Sequence, residues 1–298
     1  MTLLGATVSW ALVAQLTVGG LVLGSTYALL GLSFGIIYST TEIFHFAHSA
    51  VYAAAAYAAV VLLDDVGVPW PLAILLAILT AGLLGILIEV FGYRPLRKSG
   101  APQLVVFLVS LGLATLAPNV LQIIFGPGNR TFGSYSPYVY SVGSVTITTL
   151  EVATIIVNWV LIAAVLIFLA RTKQGLAVKA VRVNKQMAWA VGISANRIHL
   201  LVFGIGSMLV SVAALFFLAN GVANPTMGLS PILYALIAVF VGGVGSMVGA
   251  ALGGFMLGML TSLSALWLSS EYQLVFVFAV LFVFVIIRPA GLLGKVVR

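Results

Sequence analysis

Glu42, His45 and His48 are the ionisable side chains in a stretch that must lie at or near membrane depth, because long apolar runs flank it on both sides. Such groups are costly there and usually face a bundle interior or a water-filled cavity, where they mark a solute or proton path. Two roles compete for His48: lining such a path, or hydrogen-bonding to backbone freed where a helix breaks. Proton relay ranks behind both. No metal site is expected, since the two histidines find no carboxylate beyond Glu42 and the third imidazole, His199, is distant in sequence.

Chemistry of other kinds lacks its residues. There is no cysteine, which removes disulfides, thiol catalysis and thiolate metal sites. Neither a nucleophile, histidine and acid in a strand-turn-helix context nor a His-Glu-x-x-His motif occurs, so the chain is expected not to be an enzyme. Gly291-Leu292-Leu293-Gly294-Lys295 is too short for a phosphate-cradling loop and continues into Val296 rather than Ser or Thr. If ATP drives this protein, another chain must bind it.

The elements that carry these residues are membrane helices. Hydrophobic residues make up 62% of the chain and charged residues 6%, against about 25% charged in a soluble domain; mean hydropathy is +1.24. The expected fold is all-α and polytopic, a single transmembrane domain over residues 1–298, with about eight to ten spans at about 20 residues each. The first apolar stretch, from about Val8, reads as a retained span. Of 13 basic residues, all but Arg130 fall in three clusters, Arg94 to Lys98, Arg171 to Arg197 and Arg288 to Arg298. Clusters at the ends of apolar segments mark the cytoplasmic side, not nucleic-acid binding. The C-terminus is therefore assigned to the cytoplasm, and Asp64, Asp65, Arg130 and Glu151 fall outside.

Parity then requires Pro231 to Leu268 to turn back on itself, and the break falls at Gly242-Gly243-Val244-Gly245-Ser246. The first arm of about a dozen residues is too short to span alone. A second break follows the run Val8 to Tyr38, at Ser39 to Glu42. Two glycine- or polar-interrupted segments in the two halves point to a solute path near the midplane. Small residues four apart, as in Gly20 and Gly24, Gly31 and Gly35, and Gly245, Gly249 and Gly253, serve close helix packing instead. The segment of about 171–197 is the longest polar stretch on the cytoplasmic side. Ala177, Ala180, Val181, Ala188 and Val191 could present an apolar stripe to a partner.

Gly24-Ser25-Thr26-Tyr27-Ala28-Leu29, Phe46-Ala47-His48 and Tyr93-Arg94-Pro95-Leu96-Arg97 resemble the N-terminal half of the permeases of branched-chain amino acid type ABC transporters. Gly175-Leu176-Ala177 through Gly192-Ile193, Asn224-Pro225, the run Gly242 to Ala250, and Arg288-Pro289-Ala290-Gly291 resemble its second half, in order along nearly the whole chain. The resemblance implies an importer subunit in a bacterial or archaeal cytoplasmic (inner) membrane. It would pair with a second permease, homologous or identical, two ATPases that bind ATP and magnesium, and an extracytoplasmic solute-binding protein, with no cofactor of its own. It also implies that the cytoplasmic segment couples to the ATPase through Ala177, Ala180, Arg182, Asn184, Ala188 and Gly192. The expected path residues are Phe46, His48, Tyr52, Gly243, Gly245 and Ser246, with close backbone approach at Gly245. The chain departs from the family's usual Asn-Phe-Ala-His-Gly-Glu, having His45-Phe46-Ala47-His48-Ser49-Ala50. Val183 and Asn184 stand where acidic residues are common. The expected solute is a branched-chain or other amino acid; urea or a short amide is the alternative, and a stand-alone secondary transporter or channel the more distant one.

Overall fold

The computed structural model describes residues 2–3, 6–7, 9–131 and 137–294; Lys295 and Arg298 of the third basic cluster lie outside them. The described chain is helical apart from two small antiparallel hairpins, Thr2–Leu3 with Ala6–Thr7 and Val139–Val142 with Val145–Thr148. In chain order the helices are α1 (Trp10–Thr41), α2 (His48–Val60), α3 (Trp70–Leu87), α4 (Arg94–Lys98), α5 (Gln103–Phe125) and α6 (Thr149–Arg171). They continue as α7 (Lys173–Val183), α8 (Lys185–Ala190), α9 (Ala195–Asn220), α10 (Leu229–Gly242), α11 (Met247–Ser264) and α12 (Gln273–Ile287). Single π-helical segments, Val61–Asp65 and Ile88–Tyr93, extend α2 and α3.

Seven helical segments among the described residues are long and apolar enough to cross a membrane, so the chain is a multi-pass membrane protein. Helices α2 and α10 accompany them and fall short for different reasons. The alanine-rich α2 runs into Asp64 and Asp65, and α10, at 14 residues, is about 21 Å long against a hydrocarbon core of about 30 Å. The reversal expected between Pro231 and Leu268 is the turn from α10 into α11.

The chain divides into two compact units, one of residues 1–32, 135–162 and 234–298, the other of residues 33–134 and 163–233. The boundary passes through α1, α6 and α10. Within the second unit, α3 packs on α9 and α2 through a ridge of small residues four apart, Ala73, Ala77, Ala81 and Gly85, all buried. A side chain at Gly85 would strike Ser207, and one at Gly82 would come within 2.7 Å of Met208. In lipid, where apolar tails remove the hydrophobic drive between helices, such close approach supplies the packing.

Within the first unit the same device joins α1 to α11. Gly254 faces the Tyr27 carbonyl and Gly258 the Gly24 backbone, each too close for a Cβ. Asn158 of α6 donates to Ser25 Oγ (3.2 Å) and Thr26 Oγ1 (3.3 Å) of α1. Helix α12 closes this unit by seating Val277, with Phe276, Val280 and Phe284, against Ile237, Ala238, Val241 and Leu257. Beyond α12 the chain returns to α10, where the Leu292 and Leu293 amides donate to the carbonyls of Val241 (2.9 Å) and Gly242 (3.0 Å). Those carbonyls lack partners within their own helix, as at any helix end.

Candidate functional site

The first break lies in the second unit. Helix α1 is stopped by Glu42, a non-glycine residue at φ 62° whose amide still bonds to the Tyr38 carbonyl (2.7 Å). Its side chain is exposed, so it ends the helix rather than facing a buried path. An L-residue in the left-handed region carries about 1–2 kcal/mol of strain, offset in part by the backbone entropy glycine would lose on folding. Glu42→Gly is therefore expected to raise stability by about 0.5–1 kcal/mol, read as a higher midpoint in a detergent melt.

Residues 43–47 form a tight turn into α2. His45 and His48 are both fully buried. His48 Nε2 lies 2.7 Å from Ser33 Oγ of α1, and His45 Nδ1 lies 2.8 Å from Tyr93 Oη. Tyr93 donates to Ser110 Oγ (2.9 Å), which also accepts the Ala47 amide (3.1 Å). The imidazole of His45 is framed by the rings of Phe203 and Tyr93, and Phe46 meets Phe107 edge to face at 5.7 Å. Tyr52, one turn into α2, is buried. The hydrogen-bonding partners of the two histidines are thus side chains, not backbone released by the break. The preceding loop of α10 also reaches this turn, with Gly228 packed on the Ser49 backbone.

The second break lies in the first unit and carries Gly243, Gly245 and Ser246. Helix α10 ends at Gly242, Gly243 and Gly245 follow at φ 104° and 87°, and Ser246 caps α11 by accepting the Gly249 amide (3.0 Å). The close approach expected at Gly245 is found elsewhere. Gly242 meets Gly249 backbone to backbone, Gly253 meets Ala238, and Gly243 meets Gly291 and Gly294, whereas a Cβ at Gly245 would have no atom within 4 Å. Gly245 is required by its left-handed backbone, a region glycine enters without a Cβ penalty.

The basic segment of about 171–197 folds as α7 and α8. Thr172 caps α7 through the Gly175 amide (3.0 Å), and Asn184 caps α8, its Oδ1 accepting the amides of Gln186 and Met187 at 2.9 Å each. Gly192, at φ 83°, turns the chain toward α9. Ala177, Ala180 and Arg182 are half-buried. The proposed apolar stripe needs correction, because Val181 is buried and Ala188 is only 3% exposed. Together with Gly175 and Val178 they face the protein itself. The outward apolar set is Leu176, Val183, Met187, Trp189 and Val191, of which Trp189 is 76% exposed.

A buried charge was missed in the sequence. Glu89, 0% exposed, sits on the π-helical segment that ends α3 and accepts hydrogen bonds from both terminal guanidinium nitrogens of Arg97, Nη1 at 2.9 Å and Nη2. His199, buried in the first turn of α9, presents Nδ1 at 3.9 Å from the same carboxylate. The available signal was an acid inside the run Leu72 to Gly92 with a base eight residues on.

Comparison with known proteins gives these features a family. Residues 16–285 match the family model described as branched-chain amino acid transport system, permease component. The high-affinity branched-chain amino acid transport system permease protein LivH of Salmonella typhimurium is 31% identical over 290 residues, covering 93% of this chain and 94% of that protein. The corresponding protein BraD of Pseudomonas aeruginosa is 30% identical over 300 residues, covering 94% and 95%. Among solved structures, PsaBC from Streptococcus pneumoniae in complex with Fab shares the fold, with a TM-score of 0.52 at 15% identity, over 94% of this chain and 92% of that one. The chain belongs to the family of branched-chain amino acid transport permeases.

Proposed function

We propose that this permease works in an ATP-driven importer of a prokaryotic cytoplasmic membrane, taking up a branched-chain or related amino acid. It pairs with a second permease, rests on two ATPase subunits that bind ATP and magnesium, and receives solute from an extracytoplasmic binding protein. The observation that carries this reading is the outward apolar face of α7 and α8, Leu176, Val183, Met187, Trp189 and Val191. It lies in a segment with six of the 13 basic residues, where the positive-inside bias assigns the cytoplasm. An exposed aromatic and aliphatic set on a short capped helix is what a docking partner buries.

Each break is assigned separately to the solute path: Phe46, His48 and Tyr52 at the first, Gly243, Gly245 and Ser246 at the second. His48 and Tyr52 are enclosed in the conformation described, so solute passage requires a second state in which the turn at 43–47 opens. Gly245→Leu is expected to assemble and yet stop uptake. Failed assembly would assign Gly245 to its left-handed backbone angle alone, and normal uptake would remove it from the path.

The class is tested by purification in detergent, where ATPase subunits must accompany the permease, followed by uptake of radiolabelled leucine into vesicles with urea as competitor. Loss of leucine counts to excess urea would redirect the substrate. Orientation follows from the charge clusters and is read by single cysteines in a chain that has none. Cysteine at Lys98 or Lys185 is expected to resist an impermeant thiol reagent in intact cells, and cysteine at Ser144 in the hairpin turn to react. Labelling at Lys185 from outside would invert the topology.

A further inference from the structure

The unit of residues 33–134 and 163–233 holds one cluster of three ionisable side chains that the path and the docking face leave unused. Glu89 comes from the π-helical end of α3, Arg97 from α4 and His199 from the first turn of α9. A carboxylate with no exposed surface is costly in an apolar surrounding unless it is paired and hydrogen-bonded. Arg97 meets that requirement with two bonds, and its side chain keeps 22% of its surface exposed. A buried pair of this kind is weak evidence for stability, since apolar residues of the same volume often serve as well. It is better explained by what the third member does.

His199 faces Glu89 Oε1 from 3.9 Å, too far for a hydrogen bond, and neither of its ring nitrogens has a partner. Bringing the first turn of α9 about 1 Å nearer would make that bond. The contact is therefore open in the conformation described and one small displacement from closing. The elements around it are placed to make such a displacement. Helices α7 and α8 pack on α9, and the linker from α8 is braced by the Ile193 amide on the Ala188 carbonyl (2.9 Å) and the Arg197 amide on the Ser194 carbonyl (3.1 Å). Farther along, α9 meets α3 through Ser207 against Gly85 and Ile86 against Gly204. Closely packed helices of this kind move as bodies, so a push on α8 reaches the first turn of α9. A single π turn is a register change that often sits at functional positions, and here it carries the acid.

We propose that Glu89, held by Arg97, is a positioning residue that His199 engages when the α7–α8 segment moves, fixing α9 to the end of α3 in one of two states and so linking ATPase movement to solute passage. The proposal rests on the ATP-driven reading above. It is tested in vesicles containing the whole transporter, permeases, ATPases and binding protein, with radiolabelled leucine as the probe and inorganic phosphate release as the measure of hydrolysis. Glu89→Gln keeps the shape of the acid, and His199→Phe keeps the ring without its nitrogens. Both are expected to assemble and to hydrolyse ATP within about twofold of the unaltered transporter, while leucine moved per ATP falls at least tenfold. The double variant is expected to be no worse than either single one, because both remove the same contact.

A merely structural role predicts lower assembly with leucine per ATP unchanged in what remains, and that result overturns the proposal. Unchanged coupling in His199→Phe overturns it as well, even if Glu89→Gln does not fold. Absence of ATP-dependent uptake by the unaltered transporter is a different result, which removes the importer reading and this proposal with it.

Discussion

Gly249→Leu yields no folded permease, while Gly245→Ala, four residues away, yields nearly the normal amount. At Gly249 the added atoms would collide with the Gly242 carbonyl, which is backbone and has no rotamer to yield. Relief requires α10 and α11 to separate, and that separation would also disturb Gly253, which lies against Ala238 and Gly242 on the same face. Overpacking a core usually costs about 1–3 kcal/mol; a collision between two helix backbones exceeds that range because it undoes a whole contact. At Gly245 space is open and only the φ of 87° resists, at about 1–2 kcal/mol. Monodisperse yield in detergent separates the two, and a Gly249→Leu variant that elutes and melts normally would refute the close packing of α10 on α11.

On the docking proposed above, Trp189→Ala is expected to release the ATPase and abolish ATP-dependent uptake without affecting the fold. Trp189 stands outward between Met187 and Val191, themselves exposed, so its truncation leaves no cavity within the permease. A buried tryptophan at the centre of an interface contributes about 2–4 kcal/mol, which is roughly a 30- to 1000-fold loss in affinity. Ala188, by contrast, is inside the protein. A bulky charge there would damage the permease before it touched a partner, so failure of such a variant would say nothing about docking. Retention of stoichiometric ATPase by Trp189→Ala would remove α8 from the contact.

Spans were legible where a long apolar run is ended by charge or proline, and the runs Leu104 to Phe125 and Val152 to Ala170 coincide with α5 and α6 within a few residues. The reversal after α10 was legible too, from charge parity and three glycines in four residues. What escaped notice depends on tertiary contact. Gly245 and Gly249 look alike in sequence, yet one satisfies a backbone angle and the other a neighbouring helix. Glu89 was hidden inside an apolar run, and its partner Arg97 is neither three nor four residues away, because a π turn and a new helix intervene. The stripe through Val181 and Ala188 had suitable spacing for an apolar face, but periodicity does not say which side of a short helix its own chain will cover.

The return of Leu292 and Leu293 to the end of α10 has a consequence for biosynthesis. The carbonyls of Val241 and Gly242 receive their partners from residues made about fifty positions later. At about 5–20 residues per second that is an interval of roughly 3–10 s, during which the short α10 and its turn exist without their closing strand of chain. A nascent permease in that interval holds an unfinished helix end, and its unpaired carbonyls are costly wherever they are shielded from water. Loss of residues 288–294 would leave those two carbonyls without these partners in the finished chain as well.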